Sequence, residues 1–348
     1  MAFNIYTSAR IAKVIELMPP ATTFLRSTFF KNTVTYGTKN VNFDIVEGDR
    51  KVAPYVNPKR GGKVIPNKGY RTETYTAPLV APEKITEADE MLDRMPGEQL
   101  TSDMTPAERA IRKIKADLIE LEETITRREE VQCSEALFTG KITIKGYGVD
   151  DEVDFGFTNK ETLTSGKKWT ASGSDPIGDL RRWKRAIHKE GHVNADICIM
   201  SESAAAAFIN NEAVQKLLDI KNYSIAKINP MQIDTGVTYI GTISALGMSI
   251  YTYDEYYTDD WTEEGKETLK PYVPDGVVGL FSSKAQYSMI YGAISDFNPK
   301  TQDPQTHRGR RYGESYLSDN NKVRTLVLSA RPLAIPHNIK SWFVATVV

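Results

Sequence analysis

TPAERAIRKIKADLIELEETITRREEVQCSEALFTG, residues 105–140, is the stretch that decides the fold, because every local rule reads it as one uninterrupted helix. Thr105 and Glu108 are spaced as a capping box, Pro106 takes the first helical position, and no further Gly or Pro follows until Gly140, a natural helix stop. Ile111, Ile114, Leu118, Leu121 and Ile125 recur at spacings of three and four, so one apolar stripe runs along a surface otherwise crowded with charge. Glu108 with Arg112 and Glu123 with Arg127 add favourable i,i+4 pairs. At 1.5 Å per residue the element spans roughly 50 Å, longer than most globular helices. The stripe breaks at Arg128 and resumes only as Val131 and Leu137, which argues for one-sided packing on a sheet over a coiled-coil dimer.

With 348 residues the chain can bury a real core and accommodate two domains. Its 44 basic and 45 acidic side chains nearly cancel, so no global charge calls for nucleic acid or a membrane surface, and any such contact is local. No apolar run reaches the length of a membrane span, and the N-terminus lacks a secretion-signal pattern. Cys133 and Cys198 are too few for a disulfide framework and suit a reducing compartment.

The first 32 residues hold a short amphipathic piece, Ser8 to Met18, a break at Pro19-Pro20, and the aromatics Phe24, Phe29 and Phe30. They read as an arm that packs on its own body or on a neighbouring subunit. Asn40 to Val46 and Arg71 to Thr76 alternate as strands, and the Pro and Gly residues between them forbid a helix. The object predicted is a long two-stranded hairpin, only marginally stable by itself, so another chain should support it. From Glu47 to Glu73 it carries seven bases against three acids. Beside Tyr55, Tyr70 and Tyr75 these suit protein contacts better than a nucleic-acid patch. After the rod, Lys141 to Lys145 and Glu152 to Phe157 read as strands. Asp150, Asp151, Glu152 and Asp154 form a solvated turn, lacking the Gly and distal Glu of a calcium loop.

From Asp175-Pro176 the texture becomes compact alternation of helix and strand. Asp175 caps a helix to about His188, Ala195 to Met200 is a buried strand, and Ser201 and Asn210 or Asn211 start two further helices. Strand signal over Thr238 to Tyr253 precedes an acidic, Tyr-rich loop, Asp254 to Glu267, and then the strand Val277 to Phe281. Residues 284–330 are strand-like around a basic turn, His307 to Arg311, and the apolar end, Trp342 to Val348, must be tied into a sheet.

Chemistry is hard to place on this chain. Phosphate-loop, dinucleotide, nucleophile-elbow and C-x-x-C patterns are absent from the sequence. His188, Glu190 and His192 only superficially resemble a zinc-protease motif: Lys189 sits where the Glu is needed, and Gly191 ends the helix. No catalytic residue, cofactor or metal is expected.

The order of parts, an aromatic arm, a basic hairpin, a rod, a β-rich passage, a compact α/β unit and a terminal strand, resembles tailed-phage major capsid proteins of the lambda-type branch, the capsid protein E family. The stretches that carry the likeness are Val41 to Val80 with Pro54-Tyr55-Val56 and Gly61-Gly62, and Arg127 to Asp154 with the run from Glu135 to Lys141. Further ones are Asp175-Pro176, Val237 to Tyr256, Val273 to Ser282, Tyr291 to Asp296 and Ala330 to Val347. The resemblance implies an α+β, HK97-like capsid fold. Its parts would be an N-terminal arm (1–32), an E-loop hairpin (33–82), and a P-domain (83–175) with spine helix 105–139. An A-domain (176–281), P-domain return strands (282–330) and a C-terminal strand (331–348) joining the A-domain would complete it.

It further implies pentamers and hexamers closing into an icosahedral virion shell around double-stranded DNA held by non-specific contact, assembled in the host cytoplasm with no membrane. Inter-subunit contact is expected from Arg50, Tyr55, Lys59, Arg60, Lys63 and Lys68 on the hairpin and from Phe24, Phe29 and Phe30 on the arm. A portal, a separate scaffolding protein, since no cleaved helical domain precedes Phe3, and room for a decoration protein are also implied. Relatives that cross-link join a hairpin Lys to an Asn beside a buried acid. Lys59, Lys63 or Lys68 and Asn320 or Asn321 offer the first two groups, but Val323 to Ala330 supplies no acid, so no such bond is expected. An encapsulin-like nanocompartment shell and an unrecognised soluble hydrolase stand as alternatives.

Overall fold

The computed structural model describes residues 11, 14, 23–46, 52–57, 64, 70–93, 98, 104–218, 226–234, 236–260, 262, 266–297, 302–318 and 322–348. A short helix α1 (Phe24–Thr28) is followed by β1 (Asn32–Thr35), β2 (Asn40–Val46), β3 (Tyr70–Thr76), β4 (Glu83–Glu87) and the rod α2 (Pro106–Ser134). Next come β5 (Lys141–Gly146), β6 (Val149–Asp154), β7 (Lys160–Thr162), α3 (Pro176–Glu190), β8 (Ile197–Met200), α4 (Glu202–Asn210) and α5 (Glu212–Leu218). Then follow β9 (Ala226–Asp234), β10 (Val237–Ile243), β11 (Met248–Tyr253), β12 (Tyr256–Asp259), β13 (Thr268–Pro271) and β14 (Val277–Phe281). The last strands are β15 (Tyr287–Tyr291), β16 (Ile294–Phe297), β17 (Pro304–His307), β18 (Tyr312–Leu317), β19 (Val323–Ser329), β20 (Pro332–Pro336) and β21 (Phe343–Thr346). The architecture is mixed α+β.

The rod begins as its residues dictate. Thr105 Oγ1 accepts the Glu108 amide while the Glu108 carboxylate accepts the Thr105 amide at 2.8 Å, so two of the orphan donors of the first turn are satisfied reciprocally. Ile114, Leu118, Leu121 and Ile125 are buried against Leu326, Leu328 and Ala330 and against Ile11, with Ile111 partly buried beside them. One side of the rod therefore lies on the antiparallel sheet β18-β19-β4. The far end departs from the single regular helix expected through Thr139: regular geometry stops at Ser134, and Glu135–Thr139 form a π turn closed by Gly140 at φ 71°. A side chain at Gly140 would be strained in this left-handed conformation and would run into the Phe157 ring.

The α/β unit is built on the sheet β7-β21-β14-β8-β11-β10-β9, whose strands alternate between two cores. Cys198, Met200, Val278, Leu280, Phe343 and Ala345 face α3 and α4, where Trp183 and Phe208 fill the interior. Ile199, Val277, Phe281 and Val344 point the other way, into a core shared with the rod's end and α1. Both faces are covered, which is why these strands read as continuous apolar runs.

Two passages differ from expectation. Residues 254–267, expected as a loop, contribute β12 to a hairpin with β13, held by the pairing of Tyr256 with Pro271 through Asp259 with Thr268. The acids Asp150 to Asp154 are not in a turn but on β6; the turn falls at Gly148, and Lys141 on the facing strand pairs with Glu152 at 2.7 Å and Asp154 at 2.9 Å. Cross-strand charge pairing turns what looks like a free acidic run into a hairpin ladder.

Candidate assembly surfaces and the carboxylates beneath them

Three acids on the rod's inner side, Glu122, Glu129 and Glu130, are 7%, 0% and 2% exposed. Charges so deeply buried persist only when paired and hydrogen-bonded. Glu129 meets Arg26 of α1 at 3.0 Å and Arg311, ahead of β18, at 2.6 Å, and accepts the Tyr291 hydroxyl of β15 at 2.9 Å. Glu122 takes Arg310 at 2.9 Å and Arg311 at 2.5 Å. Burial pushes the Glu129 carboxyl up, but the guanidiniums of Arg311, Arg26 and Arg310 outweigh it and hold it below the usual carboxylate range. Arg311 is raised in turn, its burial outweighed by Glu129 and Glu122.

Glu130 does a different job. Thr23 precedes α1 without a side-chain cap, and Glu130 Oε1 and Oε2 accept the Leu25 and Arg26 amides at 2.7 and 3.0 Å instead. A carboxylate from the rod thus replaces the missing cap and faces the positive end of the short helix. The Tyr253 hydroxyl completes its shell at 3.1 Å. Burial still wins over the two amides and raises its pKa. The network clamps arm, rod, β15 and the basic turn into one body.

Outside this clamp, apolar side chains gather on projecting pieces. Described residues of the β2–β3 excursion stand clear of the subunit: Val52 is 90% exposed, Tyr55 107% and Val64 87%. Tyr147 at the β5–β6 tip, Tyr256 and Leu269 on β12–β13, and Phe297 on β16–β17 are exposed as well. Isolated hairpins are weak in water, and apolar tips of this kind gain stability by docking on another surface.

Of the expected hairpin contacts, Tyr55 is fully open to solvent, while Arg50, Lys59, Arg60, Lys63 and Lys68 lie outside the described residues, as do Asn320 and Asn321. The arm aromatics require a correction. Phe29 and Phe30 are 6% and 1% exposed within the subunit's own core, edge-on and tilted against Phe281 and Tyr287, so they have no surface left for a neighbour. Phe24 is partly buried and packs on Tyr251 and Tyr253 of the same chain. The rod residues Ile111, Ile114, Leu118, Leu121 and Ile125 come together in a single cluster.

Sequence reasoning missed the carboxylate network. Part of its signal was available: Glu122 and Glu129 fall at helical spacing beside the apolar stripe of Ile111 to Ile125, and a basic turn, His307 to Arg311, lies later in the chain. Among the described residues no group of His, Cys, Asp and Glu could hold a metal, and no helix is long and apolar enough to cross a membrane.

Residues 7–347 match the family described as phage major capsid protein E. The P21 prophage-derived major head protein of Escherichia coli O6:H1 (strain CFT073) is 29% identical over 318 residues, covering 88% of this chain and 89% of that protein. The major capsid protein of Escherichia phage lambda is 26% identical over 337 residues, 94% of this chain and 95% of its own. A crystal structure described as a prophage capsid protein from E. coli CFT073 superposes with a TM-score of 0.71, at 17% identity, over 100% of both chains. A phage-related protein from Bordetella bronchiseptica RB50 follows at 0.52, with 13% identity, over 98% of this chain and 96% of that one.

Proposed function

The chain belongs to the phage major capsid protein E family, and from that premise we propose how its subunit closes a shell. As a major capsid protein of a phage or prophage with the HK97-like fold, it assembles into an oligomeric shell, the virion capsid. The family match, spanning residues 7–347, favours this over a nanocompartment or a hydrolase.

In our reading the clamped body of each copy is a rigid tile, and the β2–β3 excursion is the strap that one tile lays over the next. Copies grouped as pentamers and hexamers would enclose double-stranded DNA, with a scaffolding protein and a portal assisting and a decoration protein seated outside. The observation that carries this reading is the exposure of Val52, Tyr55 and Val64, which none of the described residues of their own subunit covers. Such apolar surface is costly to leave in water and cheap to bury on a sibling. Deleting residues 52–68 should leave a soluble, folded subunit that fails to form stable shells in negative-stain microscopy and gel filtration; normal shells from that deletion would refute the strap.

A further inference from the structure

The solvent side of α3 carries more charge than its own subunit uses. Arg182 pairs with Glu161, between β7's Lys160 and Thr162, at 2.7 Å and with Asp179 at 2.8 Å, and Lys184 donates to the Leu246 carbonyl. Arg181, Arg185 and Lys189 are exposed and fall at i, i+4 and i+8, one stripe along the helix. Among the described residues their side chains have neither an ion pair nor a hydrogen bond. Like charges at this spacing repel along a helix, so the stripe wants a counter-charge from outside. The opposite charge sits on the β12–β13 hairpin, where residues 254–267 contain seven acids and one base. Asp259 is buried and spent on Lys270, whereas Asp260 and Glu267 are exposed, on a piece that also presents Tyr256 and Leu269 to solvent. That hairpin is seated on the rod-side core, Tyr257 lying 5.2 Å from Tyr272 between ring centres and Tyr272 stacking on Tyr253. α3 lies on the other core, with Trp183 stacked on Phe343. The seven-stranded sheet separates the two, so stripe and hairpin belong to opposite faces of one subunit.

We propose that the α3 stripe docks the acidic β12–β13 hairpin of a second copy. Complementary patches on opposite faces of one unit make head-to-tail contacts, which close into a ring when the rotation between copies allows it. Charge sets the register of the contact, and Tyr256 and Leu269 supply apolar surface to bury in it. A packaged DNA duplex is the other polyanion at hand. Three unpaired cations on one helix make a narrow footprint for a phosphate backbone, however, and the hairpin is present in every copy. That such a ring is a unit of the shell rests on the shell reading.

Charge reversal in the full chain tests the contact, with shells counted by gel filtration and negative-stain microscopy at low salt, where surface pairs are least screened. A stripe variant with Arg181→Glu, Arg185→Glu and Lys189→Glu should lower the assembled fraction roughly tenfold, and so should a hairpin variant with Asp260→Lys and Glu267→Lys. One chain carrying all five substitutions again places opposite charges across the contact and should regain most of the loss. Wild-type assembly by either single-sided variant, or no recovery in the combined chain, overturns the proposal. Shells of the stripe variant that form normally but hold less DNA would overturn it too, and assign the stripe to the duplex. Should the reversed chains fail to fold, oxidised shells carrying Arg185→Cys and Glu267→Cys decide. Cys133 and Cys198 are buried, so copies joined through the new pair should run as covalent oligomers on a denaturing gel, and monomers alone would sink the contact. Failure here leaves the strap standing, because deletion of residues 52–68 is judged by itself.

Discussion

A carboxylate at 0% exposure, as Glu129 is, must meet its counter-charges inside the protein, and the guanidiniums that reach it, Arg26 on one side and Arg310 and Arg311 on the other, come from opposite ends of the chain. Removing the negative charge takes the Glu129 pair from Arg26 and leaves Arg311 with Glu122 alone, so Glu129→Gln should cost about 3–5 kcal/mol in denaturant unfolding near neutral pH. Its pKa is lowered by folding, so its contribution is present above the unfolded carboxylate value and lost as the pH falls through the folded one. The gap between wild type and variant should accordingly shrink on acidification; a constant gap would place the stabilisation elsewhere. Leu118, fully buried on the rod's packed side, gives the apolar counterpart. Leu118→Asp should cost several kcal/mol by burying an unpaired charge, and a variant melting like wild type would contradict the packing.

At the scale of elements, α1 is a helix of five residues that could not persist alone. Rod and sheet hold it: Leu25 in the core, Phe24 on Tyr251 and Tyr253, and Glu130 on its first amides. Glu130→Ala should therefore act locally. Tryptic cleavage at Arg26 and Lys31 should quicken several-fold while the α/β unit keeps its protection, whereas unchanged cleavage would mean that packing alone fixes the helix. The seven-stranded sheet needs no such clamp, since helices cover one of its faces and the rod's end the other.

For the whole molecule, a rigid tile with projecting hairpins predicts non-covalent cohesion. β19 presents Val323, Thr325 and Val327 on one face and Arg324 and Leu326 on the other, and none is an acid able to act as base for a Lys–Asn condensation. Denaturing gels of mature shells should show monomers only, and a ladder of covalent oligomers would be the contrary result. How much of this was legible beforehand follows from the range of each interaction. Rod, strands and caps are written in the sequence because their rules join residues two to four apart: Thr105 to Glu108, the apolar stripe of Ile114 to Ile125, the alternation of β2 and β3. Only the folded chain decides that Glu130 caps a helix 105 residues upstream, that Arg311 reaches Glu129 across 182, and that Phe29 and Phe30 are buried in their own subunit's core. Those contacts depend on the path the backbone takes between distant segments, and burial chooses that path by weighing all the segments together.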